Sequence, residues 1–427
     1  MKVLVVGGGG REHALCWRLA QDPTVTRVLA APGNPGIAQV ARCFPDVGTE
    51  DIDGVVALVD REDVDLTVVG PEAPLVAGLA DRLRKAGRNV FGPNAAAARI
   101  EGSKSFAKEV MARRGVPTAR WGLFDDVRNA TAFVDELGGA AVVKADGLAA
   151  GKGVVVAHDR AEAIRAIEDS LVAGAFGEAG RNVVVEELLE GPEVSVFAVT
   201  DGRGNCALLD AVQDHKRAGD GDTGPNTGGM GAYSPVPALH QTRATQILDT
   251  VIAPVVDELR PYRGVLFAGM MLTSDGPKVL EFNCRFGDPE AEVLLPRMPY
   301  SVGTLLHACA TGRLAYEAGH ANFDDAAAVT VVVASEGYPG TYRTGVDIIS
   351  FEDAEAIEGV TVFHAGTARD ASGRLVTAGG RVFVVTGQGS TLSEARERAY
   401  HGVAEIHFDG MQFRTDIAAH ASLEAYA

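Results

Sequence analysis

Short β-branched hydrophobic runs alternate with amphipathic stretches over the first hundred residues. The runs KVLVV, RVLAA and DLTVV are separated by segments whose apolar positions recur at helical spacing, such as REHALCWRLAQD. This alternation is typical of a parallel β-sheet with crossover helices. Turn-forming sequences (GGGGRE, APGNPG and GPEAPL) follow these runs, and loops at the carboxyl ends of parallel strands commonly form a binding crevice. We therefore predict an N-terminal α/β domain over residues 1–103 whose three loops converge.

The pattern changes beyond residue 103. The segment EGSKSFAKEVMARRG predicts one helix that Gly115 and Pro117 terminate, and the segment after it places hydrophobic runs around a glycine-rich loop, as in a small mobile lid. Later runs such as EVSVFAVT and GVLFAGMML predict a larger antiparallel sheet. The closing helix starts at Thr391, with Glu394 at capping-box spacing. We therefore place domains at 1–103, 104–323 (lid at about 119–188) and 324–427, the last a compact α/β unit.

Length and composition narrow the function. The 427 residues fit about three domains, and 39 Lys plus Arg against 57 Asp plus Glu give a net charge of −18, which argues against a nucleic-acid partner. No apolar run approaches the ~20 residues of a membrane span, and the N-terminus lacks the layout of a secretory signal, so we expect a cytoplasmic protein without a membrane partner. The five widely spaced cysteines indicate reduced, mostly buried thiols rather than disulfides or a zinc site.

The first candidate for chemistry is the glycine loop in VLVVGGGGREHAL. Gly7 and Gly9 fit the dinucleotide spacing G-x-G-x-x-G, but Glu12 takes the place of the third glycine. Two interpretations stay open here. The loop is either a phosphate site at a helix N-terminus or a tight turn that packs the helix on the sheet.

The second candidate is VVKADGLAAGKGVVV. Lys144 ends an apolar run, and Gly147, Gly151 and Gly153 form a loop around Lys152, so both ammonium groups can reach one polyphosphate. The spacing and the residue after Lys152 do not match a P-loop. The alternative is a glycine hairpin with solvated lysines.

Two further strands end in polar residues. VVVEELLEGPE ends in Glu186 and Glu187, with Glu193 nearby, which suits either adenosine recognition or a water-facing charge pair on an edge strand. In KVLEFNCRFGDPE, Glu281 and Asn283 leave one face of a strand, as hard oxygen ligands for a divalent cation.

Arg285 continues the spacing of Glu281 and Asn283 by two residues. A planar guanidinium there can clamp a phosphate or carboxylate, and a structural salt bridge from Glu281 to Arg285 is the competing interpretation.

The tract DAVQDHKRAGDGDTGPNTGGMGAYSP is too rich in glycine and charge to pack in a core. We interpret it as a long, structureless and functional segment in which Asp214, Lys216 and Asn226 bind a polar substrate. His13 and His215 lie nearest this chemistry, and their spacing does not indicate a metal pair.

Taken together and in order, GREHAL, PGNPG, GPEAPL, SKSFAK, VVKADGLAAGKGV, QDHKR, GPNTGGMGAYSP and EFNCRFGDPE closely resemble the phosphoribosylamine–glycine ligase family of purine synthesis. The resemblance runs from Val3 to the C-terminal helix, and it departs at Glu292, where the family more often has Gln. It implies a Rossmann-like parallel-sheet domain, an ATP-grasp core with a mobile lid and a C-terminal α/β domain. It also implies an ADP-forming ligase that joins glycine to 5-phospho-D-ribosylamine through a glycyl phosphate.

The resemblance assigns roles by position, with Mg²⁺ or Mn²⁺ as cofactor and small molecules as the only partners of a monomer. The implied ATP-binding residues are Lys104, Lys144, Gly151, Lys152, Glu186, Glu187, Leu188, Glu193, Lys216 and Asn226. The implied metal ligands are Glu281 and Asn283, the substrate-binding residues are Gly9, Glu72, Asp214 and Arg285, and the catalytic residues are Lys152, Asp214 and Arg285. Lys152 is the candidate for a lid residue that closes over the acyl phosphate.

Three other functions fit part of the sequence. A nicotinamide-dependent oxidoreductase fits the N-terminal glycines, a non-catalytic nucleotide sensor fits the lysine-rich grip, and an ATP-grasp ligase for another carboxylate fits everything except the N-terminal motifs and the DHKR-to-GAY tract.

Overall fold

The N-terminal unit is a parallel sheet flanked by helices. In the computed structural model, which describes residues 1–148, 153–239, 241–314, 323 and 325–421, its elements are β1 (Lys2–Gly7), α1 (Gly10–Ala20), β2 (Arg27–Pro32), α2 (Ile37–Val40), β3 (Arg42–Cys43), α3 (Ile52–Glu62), β4 (Leu66–Val69), α4 (Glu72–Val76), α5 (Leu79–Lys85), β5 (Val90–Phe91) and α6 (Ala95–Gly102). The strand order β3-β2-β1-β4-β5 confirms the predicted parallel sheet. Its central strands are apolar on both faces because helices cover both.

The single helix predicted after this unit is wrong in one respect. It is two helices, α6 and α7 (Lys104–Arg114), which break at Ser103. The Ser103 hydroxyl accepts the Phe106 amide at 3.1 Å, so this serine caps α7 rather than continuing α6. Gly115, with φ +64°, ends α7 as predicted.

Residues 121–187 form a small α+β layer. Its elements are β6 (Trp121–Phe124), α8 (Val127–Glu136), β7 (Ala141–Ala145), β8 (Val154–Ala157), α9 (Arg160–Leu171), a 3₁₀ turn (Gly177–Gly180) and β9 (Val183–Glu187). The antiparallel order β6-β9-β7-β8 buries its own apolar cluster beneath α8 and α9. We call this layer the 121–187 unit; its mobility as a lid stays a prediction.

A second antiparallel sheet follows. The elements of this region are β10 (Glu193–Asp201), β11 (Cys206–Leu208), β12 (Gln213–Asp214), β13 (Arg217–Gly219), β14 (Thr223–Asn226), β15 (Gly231–Ser234), α10 (Gln241–Ile247), a π-helical turn (Leu248–Ile252), α11 (Ala253–Glu258), β16 (Arg263–Thr273), β17 (Gly276–Asn283), α12 (Ala291–Leu294), a 3₁₀ turn (Leu295–Arg297) and α13 (Val302–Thr311). The order β11-β10-β16-β17 confirms the larger antiparallel sheet, and it places β17 at one edge.

The C-terminal unit is α/β and shares its sheet with the preceding region. Its elements are β18 (Ala327–Ala334), β19 (Ile348–Ser350), α14 (Glu352–Glu355), β20 (Val360–His364), β21 (Thr367–Arg369), β22 (Leu375–Thr377), β23 (Arg381–Gly389), α15 (Leu392–Ala404) and β24 (His407–Phe408). The order β12-β15-β18-β23-β20 joins β12 and β15 to this sheet. The Thr391 hydroxyl accepts the Glu394 amide at 3.2 Å, which confirms the predicted cap.

One apolar core connects the three larger layers. It contains Val5 of β1, Phe197 of β10, Val265 of β16, Val332 of β18 and Val384 of β23. The N-terminal sheet is therefore fixed against the other two, whereas the 121–187 unit has a core of its own.

All five cysteines are free thiols, and Cys16, Cys284 and Cys309 are buried, as predicted. Among the described helices, the apolar stretches are all too short to cross a bilayer.

Candidate active site

The three N-terminal loops meet at the carboxyl edge of the parallel sheet, as predicted. The Gly33 amide donates to the Gly7 carbonyl (3.1 Å) and the Gly70 amide to the Val6 carbonyl (3.0 Å). The Glu12 carboxylate lies between the loops and accepts the Gly9 amide at 2.7 Å. A Cβ atom on Gly70 would lie 2.0 Å from Glu12 Oε1, so glycine is required where the loop meets this carboxylate. Glu12 takes the place of the third glycine and occupies the Gly9 amide, which argues against a dinucleotide phosphate at that position.

Arg285 faces this crevice from the end of β17. Its guanidinium lies 3.2 Å from Glu72 and 2.8 Å from Glu101, and it donates to Asn283 Oδ1 at 3.2 Å. Burial by itself would raise the pKa of Glu72, but the charges of Arg285 and Arg11 outweigh it and lower that pKa. The alternative salt bridge from Glu281 to Arg285 is wrong, because Arg285 turns toward the N-terminal unit.

Glu281 pairs with Lys104 at 3.1 Å instead. The charge of Lys104 is the largest influence on Glu281 and holds its pKa well below its usual range, with further lowering from Lys216 and Lys144. Asn283 is buried two residues along the same strand. In the described ranges no three His, Cys, Asp or Glu side chains cluster as metal ligands. Glu281 and Asn283 together offer one carboxylate and one amide oxygen. That pair suits a hard cation whose other ligands come from phosphate and water.

Lys144 and Glu186 lie in a buried ion network with a third residue. Lys144 Nζ is 2.9 Å from Glu186 Oε1 and donates to the Leu280 carbonyl at 2.9 Å, while Lys108 Nζ is 2.9 Å from Glu186 Oε2. Burial lowers the pKa of Lys108 to about 8 and the Lys144 charge adds to that lowering, although Glu186 opposes it. The water-facing alternative for Glu186 is wrong, because β9 is an interior strand and this carboxylate is 2% exposed.

Glu187 and Leu188 follow at the end of the same strand. The Glu187 carboxylate accepts the Arg120 amide at 3.2 Å. Glu187 and Leu188 are both partly exposed. The backbone after β9 is thus accessible beside the Lys144–Glu186 pair.

Lys216 pairs with Glu193 across the site at 2.7 Å. Burial raises the pKa of the neighbouring Asp214 to about 7, with Glu290 and Glu193 adding to the rise and Lys216 opposing it. The pKa of Lys216 is well above its usual range because Glu193 and Asp214 outweigh its burial. Asp214 therefore titrates near neutral pH.

The tract predicted to be structureless is folded. Residues 217–226 form the antiparallel hairpin β13–β14, and Asn226 lies opposite Arg217 in its register. Gly221, Asp222 and Gly224 have φ values of +67°, +54° and +80°, so glycine and aspartate here build the turn rather than a disordered segment.

A known relative and three family models match this chain. It is 52% identical over 428 residues to the phosphoribosylamine–glycine ligase of Streptomyces coelicolor, with 99% of this chain and 100% of that protein covered. The models of phosphoribosylglycinamide synthetase match residues 1–101 (N domain), 102–291 (ATP-grasp (A) domain) and 328–420 (C domain). The chain belongs to the phosphoribosylglycinamide synthetase family.

Solved structures agree with this family assignment. The crystal structure of phosphoribosylamine–glycine ligase from Thermotoga maritima has a TM-score of 0.83 at 33% identity, covering 98% of this chain and 100% of that one. The biotin carboxylase domain of Hydrogenobacter thermophilus 2-oxoglutarate carboxylase, in complex with MgADP, ADP and bicarbonate, has a TM-score of 0.76 at 18% identity. The match covers 96% of this chain and 91% of that one. At this identity it indicates a shared fold and nothing about function.

The structure brings Lys104, Lys144, Glu186, Glu193, Lys216 and Glu281 into one connected cluster, with Asp214 beside it. Asn283 lies two residues from Glu281 on the same strand and accepts a hydrogen bond from Arg285. Gly9, Glu72 and Arg285 lie on the crevice side, where a Cβ atom on Gly9 would be 3.6 Å from Asp288. Gly151 and Lys152 lie outside the described residues.

Four residues that the sequence did not single out form ion pairs in or beside the site. They are Glu101, Lys108, Asp288 and Arg381. Arg381 reaches from the C-terminal unit to Asp288 at 3.2 Å. Asp288 belongs to the EFNCRFGDPE motif and Lys108 to the SKSFAK motif, so the sequence motifs could have indicated these two residues. Arg381 belongs to a distant strand, and only the tertiary fold brings it to the site.

Proposed function

We propose that this chain joins glycine to 5-phospho-D-ribosylamine at the expense of ATP, giving glycinamide ribonucleotide, ADP and phosphate, the second step of purine (IMP) biosynthesis. It is an ATP-dependent carbon–nitrogen ligase with small-molecule substrates. Identity of 52% over the whole chain, together with matches to the N- and C-domain models of the family, supports this ligase over one for another carboxylate.

One structural observation carries the proposal. Three lysines from separate elements, Lys104 of α7, Lys144 of β7 and Lys216 before the β13–β14 hairpin, all act on the single carboxylate of Glu281. Each of these lysines also pairs with a carboxylate, Lys104 with Glu281, Lys144 with Glu186 and Lys216 with Glu193. Ammonium groups gathered from three elements in this way suit the binding of a triphosphate. Phosphoryl transfer needs this placement and charge neutralisation more than a covalent nucleophile.

ATP-grasp enzymes use ATP with a divalent cation. We propose Mg²⁺ or Mn²⁺ here, held by Glu281 and Asn283, because Lys104 keeps Glu281 ionised and the Asn283 amide adds a hard oxygen. When bound, the cation neutralises charge on the phosphate oxygens. Lys104, which pairs with Glu281 in this structure, would be within reach of a phosphate held by such a cation.

Activation of glycine precedes carbon–nitrogen bond formation. A glycine carboxylate oxygen takes the γ-phosphoryl group of ATP, which gives ADP and glycyl phosphate. The amine of phosphoribosylamine then attacks the acyl carbon, phosphate leaves, and the amine loses a proton. Asp214, with a pKa of about 7, is the residue we propose to accept that proton.

The remaining residues are assigned to substrate binding, closure of the site and ATP binding. Arg285 with Glu72 holds a substrate at the crevice, where Gly9 allows close approach. Lys152 closes the site so that water does not hydrolyse the acyl phosphate. The ATP-binding residues proposed are Lys104, Lys144, Gly151, Lys152, Glu186, Glu187, Leu188, Glu193, Lys216 and Asn226.

ADP release with each substrate omitted in turn tests the reaction. Turnover that needs ATP, glycine and phosphoribosylamine together is expected. ADP release in the full absence of glycine, at the same rate, contradicts the proposal.

Glu281→Gln tests the site within the same assay. We expect activity to fall by at least about 100-fold, because the charged metal ligand is lost while the side-chain shape is kept. Glu258→Gln is the matched control, since this carboxylate is similarly exposed and also ion-paired, but to Arg113 and Arg114 on the outside of α7. Wild-type turnover in Glu281→Gln removes Glu281 from the metal site.

We further propose that the chain works as a monomer in the cytoplasm. Its net charge of −18 supports the absence of a nucleic-acid partner.

A further inference from the structure

The β13–β14 hairpin depends on contacts from outside itself. Its turn, Asp220 to Gly224, is exposed, and its strands are two short segments with a register shift between Arg217 and Gly219. An isolated two-stranded hairpin of this length is at best marginally stable in water. Lys216 and Asn226 lie at the open end of the hairpin, where backbone bonds from His215 to Gly231 and from Thr227 to Lys216 hold the two chains together. The turn end of the hairpin needs contacts of its own.

The segment 414–418, near the C-terminal end of the described chain, contacts this hairpin through a buried arginine. The Arg414 side chain is 1% exposed. Its Nη1 lies 2.7 Å from Asp222 Oδ1 and donates to the Arg217 carbonyl at 3.2 Å. Nε and Nη2 bind the two oxygens of Asp416, each at 2.7 Å. One guanidinium thus joins the first strand of the hairpin and its turn to the C-terminal segment.

Further contacts complete the attachment. The Thr415 amide and hydroxyl donate to the two oxygens of Asp220 at 2.8 and 2.6 Å, and the Gly221 amide donates to Asp416 at 2.8 Å. The Ala418 amide donates to His215 Nε2 at 3.4 Å. The turn and the residue before Lys216 are therefore both tied to this segment.

The C-terminal segment is itself fixed to α15. Tyr400 donates its hydroxyl to the Arg414 carbonyl at 2.8 Å, and Arg396 donates to the Thr415 and Ile417 carbonyls at 2.7 and 2.9 Å. The hairpin is thus connected, through Arg414, to a three-turn helix of the C-terminal unit.

We propose that Arg414 is a positioning residue for the ligase reaction. Its clamp on Asp222 and the Arg217 carbonyl sets the hairpin so that Lys216 and Asn226 meet the phosphates of ATP. This inference rests on the proposed function, since it takes Lys216 as a phosphate-binding group.

Arg414→Met tests the clamp in the full-length enzyme. We expect the KM for ATP to rise about tenfold, the effect of losing roughly one charge-assisted hydrogen bond. KM does not depend on the fraction of folded enzyme, so a merely structural role leaves it unchanged. We also expect trypsin to cleave after Lys216 or Arg217 several times faster, as followed by mass spectrometry.

Arg374→Met is the control for the loss of an ion-paired arginine in the same unit, although the Arg374 side chain is exposed and that of Arg414 is buried. Arg374 makes similar contacts in the same unit, to Asp370 at 2.7 Å and Asp347 at 2.6 Å, but away from the hairpin. It should keep the wild-type KM and trypsin pattern. If Arg414→Met does not fold, Asp222→Asn makes the same test from the hairpin side, because asparagine tolerates the positive φ and removes only the charge.

Lys216→Met separates the two proposals. A wild-type KM for ATP in Lys216→Met overturns the phosphate role of Lys216, and with it the proposed site. A raised KM in Lys216→Met, together with a wild-type KM and trypsin rate in Arg414→Met or its substitute Asp222→Asn, overturns the clamp alone.

Discussion

Glu292 is a fully buried carboxyl group without a hydrogen-bond partner on either oxygen among the described residues. Its Oε1 would lie 2.5 Å from a Cβ atom on Gly10, so it packs against the first residue of α1. Burial raises the pKa of Glu292 well above its usual value, and the charge of Asp288 raises it further. An ionised carboxylate is costly at this position. Of the neighbouring carboxyl groups Glu292 and Asp288, Glu292 is therefore the one that holds a proton, whereas the pKa of Asp288, despite its burial, is lowered by Arg381 and Arg11.

Glu292→Gln should therefore stabilise the protein increasingly as pH rises. The folded chain keeps a proton that the unfolded chain loses above about pH 4.3, so wild-type stability falls with a slope of up to about 1.4 kcal/mol per pH unit until the folded pKa is reached. Glutamine removes that loss. Urea unfolding of both proteins at several pH values measures it, with the exposed Glu397→Gln as control. Parallel stability curves for Glu292→Gln and wild type contradict the argument.

Asp214 gives a second prediction at the level of one residue. If it accepts the amine proton, kcat/KM rises with pH through about 7 as the carboxylate ionises. Asp214→Asn should abolish this rise and lower kcat by about 100-fold. His215→Gln is the control, because the neighbouring imidazole also faces Asp214. The assignment fails if His215→Gln, and not Asp214→Asn, removes the rise.

Secondary-structure elements explain why Glu186 and Lys108 were difficult to interpret from the sequence. Periodicity predicted β9 but not its interior place between β6 and β7, and it is this place that buries the carboxylate. Lys108 reaches it from α7, beyond the sheet, and also donates to the Thr118 hydroxyl at 2.7 Å. The network joins the 121–187 unit to α7 and, through Lys144 and the Leu280 carbonyl, to β17.

Removing different members of this network should have unequal effects. Glu186→Gln leaves two buried ammonium groups without their carboxylate and should cost about 3–5 kcal/mol of unfolding free energy. Lys108→Met leaves the neutral Lys144–Glu186 pair and should cost less than about 1.5 kcal/mol. Urea unfolding measures both. Equal costs would show that the lysines do not repel each other across Glu186.

At the level of the whole molecule, some apolar clusters are shared between sheets, and others, including a large one in the C-terminal unit, belong to one unit. The N-terminal sheet, the antiparallel sheet and the C-terminal sheet share one apolar core. Direct contacts reinforce it, such as the His364 amide donating to His13 Nδ1 at 2.8 Å and Asn34 donating to the His364 carbonyl at 2.8 Å. The 121–187 unit has a separate core. Regions with their own small cores open at lower free energy than the rest.

Hydrogen exchange should therefore distinguish the two cores. Val143→Ala removes buried methyl groups from the 121–187 unit and should speed exchange there by an amount equal to about 2 kcal/mol, with little effect elsewhere. Val199→Ala makes the same change in the shared core and should affect the N- and C-terminal sheets together. Faster exchange throughout the chain in Val143→Ala would show a single cooperative unit.

The sequence by itself determined the parallel N-terminal sheet, the antiparallel sheet, the cap at Thr391 and the residue types of the site, because hydrophobic periodicity, turn residues and side-chain chemistry are local properties. Only the tertiary structure decided which charges meet. Arg285 turns to Glu72 and Glu101, Glu281 to Lys104, and Arg414 to the hairpin, and each of these pairs joins residues far apart in the chain. Such pairings depend on burial and on the packing of separate sheets, which no local pattern encodes.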